Sequence, residues 1–392
     1  MYLSKDVSLS AVIAGLIAVV VGYASSAVII FHAAQTGGLS ALQTASWLGS
    51  ASLGCAIVTF ILSLKLKVPI ITAWSTPGAA LLVTALPLYS LNEAVMAYLV
   101  SALAVIFFAV TGLFQKVMQK IPMSIIAAML AGILLQFCLQ AFVQINVAPL
   151  LVLTMCVTYF VAKLLLPKYV IVATLLVGIA VVLLDNTLAW TQITWSIVQP
   201  VWTVPMWSGS AMLGIALPLF IVAMTSQNAS GLAVLRTSGY QVPESKLIHY
   251  TGWASLLSAP LGSHGVTLSS ITAAICTSQD CHTDPSKRYI AGISCAFFYA
   301  LFAVFAQSMV QLFTLLPQAF VMTIAGLALF SACGHALKMA LLEPQHEDAA
   351  MLTFLFTASG LTLWGIGSAF WGLCAGLLFY AVKKALAQWQ AR

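Results

Sequence analysis

Charge is what this chain has least of. Asp, Glu, Lys and Arg make up 6% of its 392 residues, and none of the nine acidic ones falls in the middle of an apolar run. With so little charge to clothe a surface, no stretch reads as a soluble domain. Apolar runs recur from about residue 8 to about residue 388, and mean hydropathy is +1.05. One integral membrane domain, 1–392, is expected. Paired mid-membrane carboxylates are missing, as are a Ser/His/Asp constellation and an HExxH motif, so no enzyme is expected. Eight cysteines are present, but Cys55, Cys156, Cys295 and Cys374 stand inside apolar runs at no paired spacing, which argues against a disulfide or metal framework. No cofactor is implied. The net charge of +6 calls for no nucleic acid, because membrane proteins collect Lys and Arg on the cytoplasmic side. The first apolar run lacks a small-residue cleavage site, which predicts a retained span.

The apolar runs divide into fourteen segments, roughly 8–33, 42–64, 69–86, 93–115, 121–140, 146–164, 168–184, 208–235, 246–262, 264–278, 287–312, 316–337, 348–365 and 368–388. Several fall short of the ~20 residues of a full crossing. Charge tests the count independently. With a cytoplasmic N-terminus, Lys65, Lys67, Lys116, Lys120, Lys163, Lys168, Arg236, Lys246, Lys287, Arg288 and Lys338 all fall at cytoplasmic connections, and Lys5, Lys383, Lys384 and Arg392 at cytoplasmic termini. The opposite connections hold Glu93 and Asp185 and no basic residue. The longest, 185–208, carries Trp190, Trp195, Trp202 and Trp207, which suits an interfacial segment.

Seven segments per half would make the second half (208–392) run upside down relative to the first (1–190). Three pairs of stretches support that division. "ASSAVIIFHAAQTGG" lies on "SQNASGLAVLRTSGY", matching Ala27 with Ala229 and Gly37 with Gly239. "VPIITAWSTPG" lies on "APLGSHGVTLS", setting Pro69 over Pro260 and Thr76 over Thr267, and "IPMSIIAAMLAG" is similar to "LPQAFVMTIAG". The second pair carries the chemistry. In hydrocarbon an unpaired backbone group costs several kcal/mol, so a Pro77-Gly78 break in a span needs protein cover or a cavity beside it. Residues 69–75 suit a strand, and a helix is expected from Thr76, with Ser75 or Thr76 as N-cap and Pro77 in the first turn. Gly78 is expected to be small because the chain or a ligand approaches there. In the tenth segment, Thr267 is expected to cap a helix running through "LSSITAAICTS". Two half-helices would then start near mid-membrane from opposite sides, aiming N–H groups and positive dipole ends at a negative group.

At these residues the chain resembles the benzoate transporter family (BenE type), within the larger group of nucleobase, ascorbate and sulfate carriers. "GYASSA", "TAWSTPGAALL", "AAMLAGILL", "SQNASG", "ITAAIC" and "TASGLTLWGIGSAFWGL" carry the likeness, which covers essentially the whole chain. The resemblance implies an all-α membrane fold of fourteen segments in a 7+7 inverted repeat, with a core domain (about 8–115 and 208–312) and a gate domain (about 121–184 and 316–388). It also implies proton-coupled symport of benzoate by an elevator-like movement, a homodimer among lipid, and a bacterial inner membrane location.

Residue chemistry narrows the substrate. A nucleobase presents N–H donors that buried carboxylates would accept, yet the eighth segment offers neutral Gln227 and Asn228. A carboxylate needs donors, which Ser25, Ser75, Thr76, Gln227, Asn228, Thr267, Ser269 and the backbone of Gly78, Val266 and Leu268 would supply, while Tyr23, Phe31 or Trp74 would hold a ring. Each hydroxyl has an alternative use in bonding its own helix. His264 is the ionisable side chain placed near mid-membrane and is a candidate for the symported proton; a neutral, hydrogen-bonded histidine, or a substrate crossing in protonated form, are the alternatives. His32, His249, His282, His335 and His346 are read as structural. A channel, a sulfate-like anion carrier and a nucleobase carrier are the competing functions.

Overall fold

The computed structural model describes residues 6–112, 122–167, 169–184 and 195–390. Lys5, Lys116, Lys120, Lys168, Asp185 and Arg392, used in the charge pattern, and Trp190 of the tryptophan-bearing connection lie outside the described residues.

Helix α1 (Leu9–Thr36) starts where the Ser8 hydroxyl accepts the Ala11 N–H. Helix α2 (Ala41–Leu66) opens on a Ser40/Gln43 capping box and stops at Lys67, whose positive φ of 55° ends the turn. A short strand β1 (Thr72–Trp74) leads into helix α3 (Thr76–Ala85), and α4 (Leu91–Thr111) begins on a second capping box, Ser90/Glu93. Then come α5 (Met123–Val143), α6 (Pro149–Leu165) and α7 (Val170–Leu184). Residues 195–208 run extended across helix ends: Val198 N–H reaches Val304, Thr203 N–H reaches Pro260 and Met206 N–H reaches Asn92. Trp195, Trp202 and Trp207 stand exposed along it.

The second half opens with a long helix, α8 (Gly209–Thr237), interrupted by two π-helical stretches, Met212–Ala216 and Ala223–Asn228. Helix α9 (Glu244–Ser258), strand β2 (Val266–Leu268), helix α10 (Ile271–Thr277), α11 (Tyr289–Val304), α12 (Ala306–Leu315), α13 (Gln318–Ala340), α14 (Glu347–Ala358) and α15 (Ser368–Gln390) complete the chain. The strands pair antiparallel, with Thr72 opposite Leu268, Ala73 opposite Thr267 and Trp74 opposite Val266. Pairing gives each broken segment a partner for backbone groups that hydrocarbon could not satisfy.

Among the described residues eight helices are long and apolar enough to cross a membrane, and Thr76–Leu88, Pro149–Leu165 and Val170–Leu184 are shorter apolar helices. The chain is thus a multi-pass helical membrane protein. Fourteen full-length crossings are not what the helix lengths give, because several segments, α3 and α10 above all, spend part of their length as strand or turn.

Packing sorts the helices into two groups. Helices α1, α2, α3, α4, α9 and α11 pack against one another, α1 and α2 flanking α11 and α4 lying on α9. Helices α5, α6, α7, α13, α14 and α15 do the same, with α5 wedged between α13 and α14. The groups meet where α1 touches α13 and α7, and where α3 touches α5. Basic residues cluster at one end of the first group: Lys67 sits over the Tyr289 ring, Lys65 over Tyr250, and the Tyr289 hydroxyl donates to Asp6 at 2.7 Å. Arg288 donates from Nη1 to the Thr277 carbonyl at 2.7 Å, placing a cation on the last carbonyl of α10.

Candidate functional site

The two strand-to-helix corners face a cavity of about 470 Å³ that runs between the helix groups. How each corner is built decides which groups reach it. At the third segment Ser75 is the N-cap: its Oγ accepts the Gly78 N–H at 3.1 Å and its carbonyl accepts the Ala79 N–H at 2.8 Å. Pro77 has no N–H, so Thr76 is left with the open donor of that turn. Gly78 is tight against protein and not against a cavity. A Cβ there would come within 2.9 Å of both Leu219 Cδ2 and Ser75 Oγ.

The tenth segment differs from expectation. Thr267 does not cap a helix; it lies in β2 opposite Ala73 and its hydroxyl donates to the Ala73 carbonyl at 3.1 Å. Helix α10 begins about one turn later, at Ile271, with Ser270 as N-cap and no side-chain capping bond. The physical reason is competition. Val266 to Leu268 can pair with β1, and a ladder of backbone bonds in an apolar interior outweighs one hydroxyl cap.

Of the residues singled out in the sequence, Ser25, Trp74, Thr76, Gln227 and Ser269 line the cavity. Thr76 and Gln227 hydrogen-bond no other described residue through their side chains, so their donors face the space freely. Ser269 Oγ accepts the Thr272 hydroxyl at 2.6 Å, which leaves its own proton for a ligand. Ser25 spends its hydroxyl on the Val21 carbonyl of its own helix, at 2.7 Å. Trp74 is buried, its ring edge-on to Tyr23 with centroids 5.0 Å apart.

Tyr23, Phe31, Ser75, Gly78, Asn228, Val266, Thr267 and Leu268 stand behind the lining. Ser52 gives its hydroxyl proton to the Leu48 carbonyl, so Tyr23 donates to Ser52 and its hydroxyl points away from the cavity. Phe31 packs on Phe313. Asn228 Oδ1 accepts the Leu268 N–H at 2.9 Å and pins β2 to α8. The π-helical stretch Ala223–Asn228 changes the register here, sending Gln227 to the cavity and Asn228 to the strand. His264 is buried and lies outside the lining, bonded to Trp47 and to the Ser75 carbonyl.

The opposite wall was not read from the sequence. It consists of Met123, Ile126, Ala127 and Leu130 of α5 and of Ala328, Leu329, Ser331, Ala332, His335, Ala336 and Met339 of α13, with Ser331 Oγ accepting from Lys163 Nζ at 3.2 Å. Its signal was present: Ala328, Ala332 and Ala336 repeat at every fourth position and lay a smooth stripe along one face. His335 is the one titratable group among the described lining residues, near the Lys338 end of α13. The site therefore has a hydroxyl- and amide-bearing wall on one side and a mainly apolar wall, interrupted by Ser331 and His335, on the other.

Comparison with known proteins adds the lineage. The profile of the family described as "Benzoate membrane transport protein" matches residues 5–382. The chain is 42% identical over 375 residues to the "Inner membrane protein YdcO" of Escherichia coli (strain K12), covering 96% of each. It is 41% identical over 380 residues to the "Benzoate membrane transport protein" of Acinetobacter baylyi, covering 97% of this chain and 96% of that one. Among solved structures, the transmembrane domain of a cyanobacterium bicarbonate transporter, BicA, superposes with a TM-score of 0.61 at 14% identity, over 90% of this chain and 97% of that one. SLC26A9 gives 0.63 at 14% identity, over 96% of this chain and 66% of that one. At such identities these two likenesses concern the fold alone.

Proposed function

Since the chain belongs to the benzoate membrane transport protein family, we propose that it is a secondary active transporter that takes up benzoate or a related aromatic monocarboxylate together with a proton. The observation that carries this reading is the two-sided cavity. A benzoate-like molecule has a flat apolar ring and one charged end, and the walls match both. Thr76, Gln227, Ser269 and Ser270 offer neutral donors to the carboxylate, while Ala127, Leu130, Ala328 and Ala332 offer apolar surface to the ring. No acidic residue lines the space among the described residues, which disfavours a nucleobase with N–H donors to place. An inorganic anion would leave the apolar wall without a partner.

The two packing groups support an elevator-like mechanism in which the group carrying both corners (the core) moves against the group carrying α5 and α13 (the gate). In this reading the fourteen segments form a 7+7 inverted repeat, related through the antiparallel β1/β2 pair, with substrate between the two half-helices at mid-membrane. Gathering of Lys65, Lys67 and Asp6 at one end supports cytoplasmic termini, and a homodimer in the inner membrane is the assembly we expect. With no carboxylate lining the cavity among the described residues, the coupled proton travels on His335, the titratable group of the lining, or on the substrate's own carboxyl group, a weak acid being able to cross in protonated form. Competition in proteoliposomes tests the substrate. Unlabelled benzoate and substituted benzoates should suppress uptake of labelled benzoate, and sulfate and uracil should not; suppression by sulfate or uracil alone would overturn the reading. Labelling of a cysteine placed at Lys287 from the outside would overturn the orientation.

A further inference from the structure

His264 occupies the turn before β2, 4% exposed, and both of its ring nitrogens are used. Trp47 Nε1–H donates to Nδ1 at 2.9 Å, and Nε2 lies 2.8 Å from the Ser75 carbonyl oxygen. An indole N–H can only donate and a carbonyl can only accept. The ring is therefore held as the neutral Nε2–H tautomer, with its Nδ1 lone pair turned to Trp47. Adding a proton at Nδ1 would set two N–H donors against each other in a buried site. Among the described residues these two are its hydrogen-bond partners, so no carboxylate or cation is paired with it.

The place of the second bond gives it a purpose. The β1/β2 ladder ends at Trp74 opposite Val266. The next rung would join Ser75 to Gly265, but Gly265 has a φ of 140°, which turns the chain out of the ladder. The His264 side chain reaches the Ser75 carbonyl instead. Ser75 is the corner where β1 becomes α3, and the next residue, Thr76, lines the cavity. We propose that His264 is a positioning residue: a neutral clasp, oriented by Trp47, that ties the tenth segment to the corner of the third and holds Thr76 in place. The clasp is not the proton carrier. Its effect on binding rests on reading the cavity as the substrate site.

Two substitutions separate the bonds. His264→Gln keeps an N–H donor near the Nε2 position, whereas His264→Asn keeps a polar group only near Nδ1. In proteoliposomes with an imposed pH gradient, His264→Gln should still accumulate substrate, with apparent KM within roughly twofold of the parent. His264→Asn should raise apparent KM about tenfold with little change in maximal rate, the size of one lost buried hydrogen bond. Nitrogen NMR of histidine-labelled protein, assigned by the signal that His264→Gln removes, should show the neutral Nε2–H form unchanged across roughly pH 5 to 8. An imidazolium signal in that range, or a His264→Gln protein that exchanges substrate but no longer accumulates it with the pH gradient, would overturn the proposal. So would equal KM values for the two variants. The NMR measurement needs no ligand: a protein that binds no benzoate yet shows the neutral tautomer would overturn the substrate reading and leave the clasp standing.

Discussion

The third and tenth segments make the same strand-to-helix corner with different parts. In the third, Ser75 caps α3 through its side chain and Pro77 removes an N–H, so the corner is largely satisfied from within. In the tenth, α10 has seven residues and no side-chain cap, and the corner is held from outside, by Asn228 on the Leu268 N–H and by pairing with β1. What the two share is the antiparallel pair itself. A corner with strong local capping is written in its own sequence, and a corner held by distant partners is not.

Substitutions can break or sharpen that contrast. The largest effect is expected from Gly78→Val, which pushes a branched side chain into Leu219 and Ser75 where even a first carbon meets them at 2.9 Å. Uptake should fall to background and thermal unfolding should shift down by an amount matching the 1–3 kcal/mol typical of over-packing, so about that range. Wild-type uptake in this variant would remove the claim that the third corner is tightly self-built. Next comes Asn228→Ala, which strands the buried Leu268 N–H and should cost about 1–3 kcal/mol in stability, with Gln227→Ala as its counterpart. The latter should leave the unfolding midpoint unchanged and weaken substrate binding. If the two behaved alike, the division of labour between these neighbours would fail.

A smaller effect is expected from Ser75→Ala, about 0.5–2 kcal/mol for one lost cap, read by thermal unfolding. The smallest should follow Ser270→Ala. With no capping bond to lose, its stability should stay within about 0.5 kcal/mol of the parent, the ordinary range for a substitution that removes no interaction. A Ser270→Ala loss as large as that of Ser75→Ala would show that the two corners are capped alike after all.

Much of the architecture was legible in the residues. The near absence of charge placed the chain in a membrane, the Pro77-Gly78 break located a corner, and "STPG" narrowed its cap to Ser75 or Thr76, of which the structure takes Ser75, because capping is a bond across three residues. Thr76, Gln227, Ser269, Trp74 and Ser25, singled out in the sequence, line the cavity, where a polar or interfacial side chain in an apolar run faces something other than lipid. The α10 start was misplaced because strand pairing with β1, nearly two hundred residues away in the chain, took Thr267 first.

Sequence alone thus determined the solvent, the position of the break in the third segment and the neutral polar inventory, since these depend on composition and on bonds within a turn. Only tertiary structure decided which polar groups remain free. Gln227 and Asn228 are adjacent amides with the same chemistry, and nothing local ranks them. The π-helical register of α8 and the bond from the Leu268 N–H to Asn228 Oδ1 make one a lining group and the other a strut. The same holds for His264, whose state is set by Trp47 and Ser75, and for the apolar wall of α5 and α13, which exists only where two helices meet the corners. Distant partners compete for each donor and acceptor, and that competition is settled in space.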